Sequence, residues 1–184
     1  MSDKQKDFEL IEKFLNGDES AFNLLVKRHQ EKIYMVARRM LGNHLDADEV
    51  VQEVLLVLYK KLNTFKFESA FSTWLYRITM TRSINFLKKR AIKNLLSIFD
   101  LKKERSYNQN PAEIIEGKDQ FELVEKLLKK LPPKQREVFI LKNFENLKYE
   151  EISEITGKSI GTLKANYFHS VNKLKELLEK HYEN

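Results

Sequence analysis

Residues 148–175 read KYEEISEITGKSIGTLKANYFHSVNKLK. This is a short acidic helix, a tight break and a longer basic helix. Ile152, Ile155, Ile160 and Leu163 are spaced to pack the two helices together. Gly157 at the break tolerates the positive φ of a sharp helix-to-helix turn. Ser159 can cap the second helix. That helix exposes Lys164, Asn166, His169 and Lys173. A compact pair with a donor-rich second helix is the helix-turn-helix arrangement, which lays its second helix in a DNA major groove. An ordinary αα-hairpin with a solvated face has the same local pattern.

Composition narrows the classes. The 184 residues allow one or two domains with a sizeable core. With no cysteine, disulfides, thiolate metal sites and cysteine nucleophiles are excluded. His29, His44, His169 and His181 lack zinc-ligand spacing, so no metal is expected. No apolar run approaches the ~20 residues of a membrane helix, and the opening MSDKQKDFEL is not a signal peptide. These features predict a soluble, cytoplasmic protein without cofactor or membrane insertion. Five glycines and three prolines suit an all-α chain.

Charge is unevenly placed. Residues 65–95 carry Lys66, Arg77, Arg82, Lys88, Lys89, Arg90 and Lys93 against Glu68 alone. Residues 158–175 carry four lysines and no acid. Two basic patches suggest two contacts on one polyanion.

The periodicity predicts helices at about 8–15, 19–41, 46–62 and 71–93, forming one domain over 1–95. The second has the stripe Phe22, Leu25, Val26, His29, Ile33, Val36, Ala37, Met40 and Leu41, closed by Gly42-Asn43. Residues 96–110 read as a linker. Asn110-Pro111-Ala112-Glu113 restarts the chain with capping chemistry. A second domain, 111–184, then ends in the helix pair. The predicted fold class is all-α: two small helical domains joined by a linker, the C-terminal one a helix-turn-helix domain.

Two further segments carry chemistry. Asp48, Glu49, Gln52 and Glu53 form a polar cluster that could receive arginines from a partner protein, although acids near a helix start are also ordinary capping chemistry. Residues 65–93 interleave Phe65, Phe67, Phe71, Trp74, Tyr76 and Phe86 with the seven cations. Single-stranded nucleic acid is held this way, with cations on phosphates and rings replacing base stacking at ~1–3 kcal/mol per base. Phe71 and Trp74 are expected to pack in the core. Phe65 and Phe67, flanking Lys66 in a loop, are the better base-facing candidates.

Together, DADEVVQEVLLVLYKKL (46–62), FESAFSTWLYRI (67–78) and LPPKQREVFILKNFENLKYEEISEITGKSIGTLK (131–164) resemble the bacterial RNA polymerase sigma factors of the extracytoplasmic-function (ECF) group. The resemblance covers nearly the whole chain. It implies a non-enzymatic initiation factor with no catalytic residue. The first domain would bind core RNA polymerase and recognise and melt the −10 element; the second would recognise −35. Asp48, Glu49, Gln52 and Glu53 fall on the family's core-polymerase contact. Phe65, Lys66, Phe67, Tyr76, Arg77, Ile78, Thr81, Arg82, Asn85, Lys88, Lys89 and Arg90 fall on its single-stranded −10 surface. Lys142, Thr162, Lys164, Ala165, Asn166, Phe168, His169 and Lys173 fall on its duplex −35 surface. An anti-sigma factor is implied as a further partner. The chain departs from the family's usual residues at Thr81 (asparagine), Asn85 (aspartate), Asn166 and His169 (arginines) and Lys148 (a capping serine). Asn166 lacks an arginine's two-pronged guanine contact and suits adenine or a phosphate. The alternatives are a conventional DNA-binding regulator, which would bind duplex without polymerase, and a small helical nuclease, for which convergent acids and histidines are missing.

Overall fold

The computed structural model describes residues 3–100 and 118–183, with side chains over 3–94 and 122–183. The order is α1 (Asp3–Leu15), α2 (Glu19–Leu41), α3 (His44–Lys61), α4 (Phe71–Asp100), α5 (Lys118–Lys129), α6 (Pro133–Asn143), α7 (Tyr149–Thr156) and α8 (Ile160–Tyr182), with a 3-10 turn at Leu62–Thr64. Among the described residues there is no strand, and no helix is long and apolar enough to cross a membrane. The all-α expectation holds.

The expected α2 stripe is the buried one: Leu25, His29, Ile33, Val36, Ala37, Met40 and Leu41 face inward. Asp18 caps its start through the Ser20 amide, and Gly42 ends it at φ 74°. That left-handed step lets the Gly42 N–H donate back to the Arg38 carbonyl at 2.7 Å. Asn43 then caps α3 through the Asp46 amide at 2.8 Å. Val50, Val54 and Leu58 of α3 and Phe71, Leu75 and Met80 of α4 complete this core. α4 runs to Asp100 rather than ending near Lys93, because residues 94–100, NLLSIFD, contain no helix breaker. The stretch read as a linker therefore begins inside α4. Its remainder, 101–110, and the Asn110-Pro111 restart lie outside the described residues.

A buried carboxylate fastens α1. Asp7 accepts from Arg28 Nε at 3.0 Å, and its other oxygen lies 3.0 Å from His29 Nε2. Burial raises the Asp7 pKa, but the His29 and Arg28 contacts outweigh it and hold the carboxyl below its ordinary value.

In the C-terminal unit, Leu127, Leu128, Val138, Leu141, Ile152, Leu163 and Leu174 share a core. Pro133 opens α6 at a position where its missing N–H costs nothing. Gly157, at φ 69°, makes the break between α7 and α8, and Ser159 caps α8 through the Thr162 amide. The α7 cap is half made. Glu151 accepts from the Lys148 N–H at 2.7 Å, while the lysine ammonium has no acceptor to return to the first turn. α5 and α6 lie against α2, and α7 against α4, so the two units are in contact.

Two stability outcomes follow from these caps and pairs. Lys148→Ser completes the capping box and is expected to raise the unfolding free energy by about 0.5–1 kcal/mol in urea denaturation. Asp7→Asn is expected to lower it by about 1–3 kcal/mol at pH 7. A carboxylate with a depressed folded pKa stabilises above its unfolded value of about 4 and loses that contribution as pH falls through the folded value. The gap between wild type and Asp7→Asn should therefore close on acidification; a gap independent of pH would contradict the ion-pair role.

Candidate nucleic-acid and polymerase interfaces

On α3 the buried residues Ala47, Val50, Val54 and Leu58 turn the opposite side outward. Glu49 and Gln52 are exposed there, and Asp48 and Glu53 half-buried. Asp48 lies 3.2 Å from His44 Nε2, and Glu53 lies 3.5 Å from Arg82. The surface continues one turn on to Leu56, 59% exposed, and Tyr59, 48% exposed. The sequence reading stopped at the acids. The signal for the rest was present: α3 is apolar nearly all round in its second half, and such a helix needs an apolar surface beyond its own core.

The aromatic–basic segment divides into buried and open parts. Phe65 is only 6% exposed. It packs against Phe8 at 5.8 Å, Phe67 at 5.0 Å, Phe71 at 5.7 Å and Trp74 at 5.6 Å. α1 brings Phe8 onto the loop and completes an aromatic cluster around Phe65, which still contributes to the wall of the neighbouring pocket. Phe67 is half-buried in the same cluster at φ 59°, while Lys66 projects to solvent. Beside them lies a polar pocket of 480 Å³ lined by Thr64, Phe65, Lys66, Glu68, Ser69, Thr73, Trp74 and Arg77, with Glu154 of α7. Its hydroxyls, two rings and the cations Lys66 and Arg77, set against Glu68 and Glu154, can take a planar hydrogen-bonding group with an anion beside the cations. The sequence reading had left Thr64, Ser69 and Thr73 out and had placed Trp74 in the core.

Along α4, Arg77, Thr81, Asn85 and Lys88 recur at helical spacing and are exposed, as are Lys89 and Arg90; Ile78 and Arg82 are half-buried. Arg90 pairs with Asp46 of α3. Tyr76 is 5% exposed, and its hydroxyl donates to Glu145 Oε2 at 2.6 Å. Burial first, and then the Glu145 carboxylate, push its pKa far above the ordinary phenol value, so it remains a donor.

On α8, Leu163, Ser170 and Leu174 are buried, leaving Thr162, Lys164, Ala165, Phe168, His169 and Lys173 exposed. Phe168 is 62% exposed, an apolar surface suited to a thymine methyl group. Lys142 and Lys164 approach one ring, Tyr149, at 5.1 and 5.8 Å from its centroid. This draws two ammonium groups from separate helices to one spot, a phosphate-sized concentration of charge. Tyr149 was not among the sequence candidates. Asn166 differs from expectation: its amide donates to the Thr162 carbonyl at 2.9 Å, and it lines a 680 Å³ cleft facing Thr81, Asn85 and Lys88 of α4. No group of residues among those described has the makings of a metal site.

Comparison with known proteins identifies both helical units. Residues 25–92 match the family model of Sigma-70 region 2, and residues 121–174 that of Sigma-70, region 4. The ECF RNA polymerase sigma-E factor of Escherichia coli (strain K12) is 30% identical over 192 residues, covering 98% of this chain and 100% of that protein. The RNA polymerase sigma-H factor of Pseudomonas aeruginosa is 28% identical over 195 residues, 97% of each. Among solved structures, CnrH in complex with the cytosolic domain of CnrY shares the fold at a TM-score of 0.70 and 22% identity, over 95% of this chain and 98% of that one. The sigma factor RpoE in complex with the anti-sigma factor NepR from Bartonella quintana gives 0.67 at 25% identity, over 86% and 96%. With both regions matched and a full-length relative at this identity, the chain belongs to the ECF group of RNA polymerase sigma factors.

Proposed function

We propose that this chain is a promoter-specificity factor with three working surfaces. The α3 face of Asp48, Glu49, Gln52 and Glu53, extended by Leu56, binds core RNA polymerase. The 480 Å³ pocket beside Lys66, Trp74 and Arg77, with the α4 row at Thr81, Asn85 and Lys88, captures unpaired −10 bases and their phosphates. The α8 face from Thr162 to Lys173, with Lys142, docks on −35 duplex. The observation that carries this reading is that pocket: an aromatic, cation-flanked cavity on the same chain as an independent helix-turn-helix. A conventional duplex-binding regulator has no use for it. Extruding a base costs a few kcal/mol, and stacking returns ~1–3 kcal/mol per captured base. Binding energy alone can therefore hold a melted segment open. The protein acts in the cytoplasm, beside the chromosome. The complexes of CnrH with CnrY and of RpoE with NepR support an anti-sigma protein as a further partner.

Run-off transcription with purified core polymerase tests the reading: promoter-specific transcripts are expected only when this chain is added. Duplex binding without any such transcripts would favour the regulator. Lys88→Ala is expected to reduce permanganate-reactive thymines near −10 while core binding is unchanged; normal melting would remove Lys88 from the −10 surface. Lys164→Ala is expected to weaken −35 duplex binding and to lower the salt slope by about 1, and an unchanged slope would mean that Lys164 touches no phosphate.

A further inference from the structure

The pocket beside the loop between α3 and α4 holds an acid that its own chain leaves unengaged. Glu68 lines it together with the cations Lys66 and Arg77. Among the described contacts it forms an ion pair with neither. Glu68 and Lys66 are exposed, and Arg77 donates instead to the Glu154 carbonyl.

The residue between Lys66 and Glu68 fixes where this carboxylate stands. Phe67 has φ 59°, a left-handed backbone that is costly for a bulky side chain. Its ring is held edge-on to Phe8 at 5.1 Å and lies 5.0 Å from Phe65. The ring is thus anchored in the aromatic cluster, while its two chain neighbours line the pocket.

The lining sorts by hydrogen-bonding role. As a carboxylate, Glu68 only accepts. The Thr64 hydroxyl already donates to the Lys61 carbonyl at 2.7 Å, so toward a ligand it also only accepts. Thr73 and Trp74 supply neutral donors, and Lys66 and Arg77 the positive charge. Cytosine, adenine and guanine each carry an exocyclic amine with two N–H groups. Thymine has one ring N–H and two carbonyl oxygens, and a carbonyl oxygen set against a carboxylate is repelled.

Resting on the base capture proposed above, we infer that Glu68 selects the captured base. It accepts from the exocyclic amine of cytosine, adenine or guanine and discriminates against thymine. Lys66 and Arg77 serve the phosphates whatever the base.

The test titrates the full chain into fluorescein-labelled single-stranded octamers of deoxycytidine or deoxyuridine near neutral pH, read by anisotropy. The two bases share a ring and differ by an amine in place of a carbonyl oxygen, so the ratio of affinities isolates this contact. Wild type is expected to bind the deoxycytidine octamer about fivefold more tightly. Glu68→Gln, whose amide can donate to the uracil oxygen, is expected to bring the ratio to about one. Glu68→Asp is expected to keep part of the preference. Lys66→Ala is expected to weaken both octamers alike and leave the ratio unchanged. Glu68 is exposed, so its variants retain the fold. A wild-type ratio near one, or a ratio that Glu68→Gln leaves unchanged, overturns base selection by Glu68. Base capture itself still stands in that case if Trp74→Ala weakens both octamers, because the ring stacks on either base. Failure of wild type to bind either octamer refutes base capture, and this inference with it.

Discussion

Arg136 is the side chain through which the end of α5, the start of α6 and the N-terminal unit are held together. α5 is stopped by Pro132 and Pro133, which strand its last carbonyls. The Arg136 guanidinium gathers two of them, donating to the Lys129 carbonyl at 2.6 Å and the Leu131 carbonyl at 2.9 Å. It also reaches the Met40 carbonyl at the end of α2, where helix geometry concentrates negative partial charge. One planar cation thus ends α5, orients α6 and meets the N-terminal unit. Burial lowers its pKa to about 10, which leaves it charged at neutral pH. A lysine could not replace this fork, because its ammonium lacks the flat spread of donors.

The charges elsewhere follow a division of labour. Acids on α3 neutralise bases on α4: Glu53 meets Arg82, and Asp46 meets Arg90. The pairs are half-exposed and weak, so a charged group of a binding partner can replace either member at small cost. Thr81, Asn85, Lys88 and Lys89 carry no such intramolecular partner among the contacts described, and they give the α4 row its net positive face. The α8 face proposed for −35 DNA gathers its charge differently, with Tyr149 drawing together lysines from α6 and α8.

Local chemistry made most of the fold readable from sequence. The α2 stripe, the Gly42 and Gly157 stops, the Ser159 cap and the Pro133 start are each decided within a few residues. What escaped was decided at long range. Phe65 looked like a free loop aromatic because nothing near it in sequence announces Phe8, which packs on it from the far end of the chain. Tyr76 read as open because its covering residue, Glu145, lies on another unit. Asn166 sat in a run of exposed residues, and only the placement of α8 turns it toward α4. The end of α4 was missed for a different reason: LLSIF has no clean amphipathic period, yet it contains nothing that stops a helix.

Gly42 stands where the two units meet. Its left-handed backbone alone would tolerate asparagine, which commonly ends helices in that conformation. Here a β-carbon would also stand 2.7 Å from Lys129 Cδ and 2.8 Å from Cγ, the middle of a side chain on the opposite unit. Lys129 is exposed, so its side chain can swing aside and the contact adds only a small cost to a substitution there. A side chain at 42 would thus first rearrange Lys129, so the end of α2 and the end of α5 sense one another across the two units.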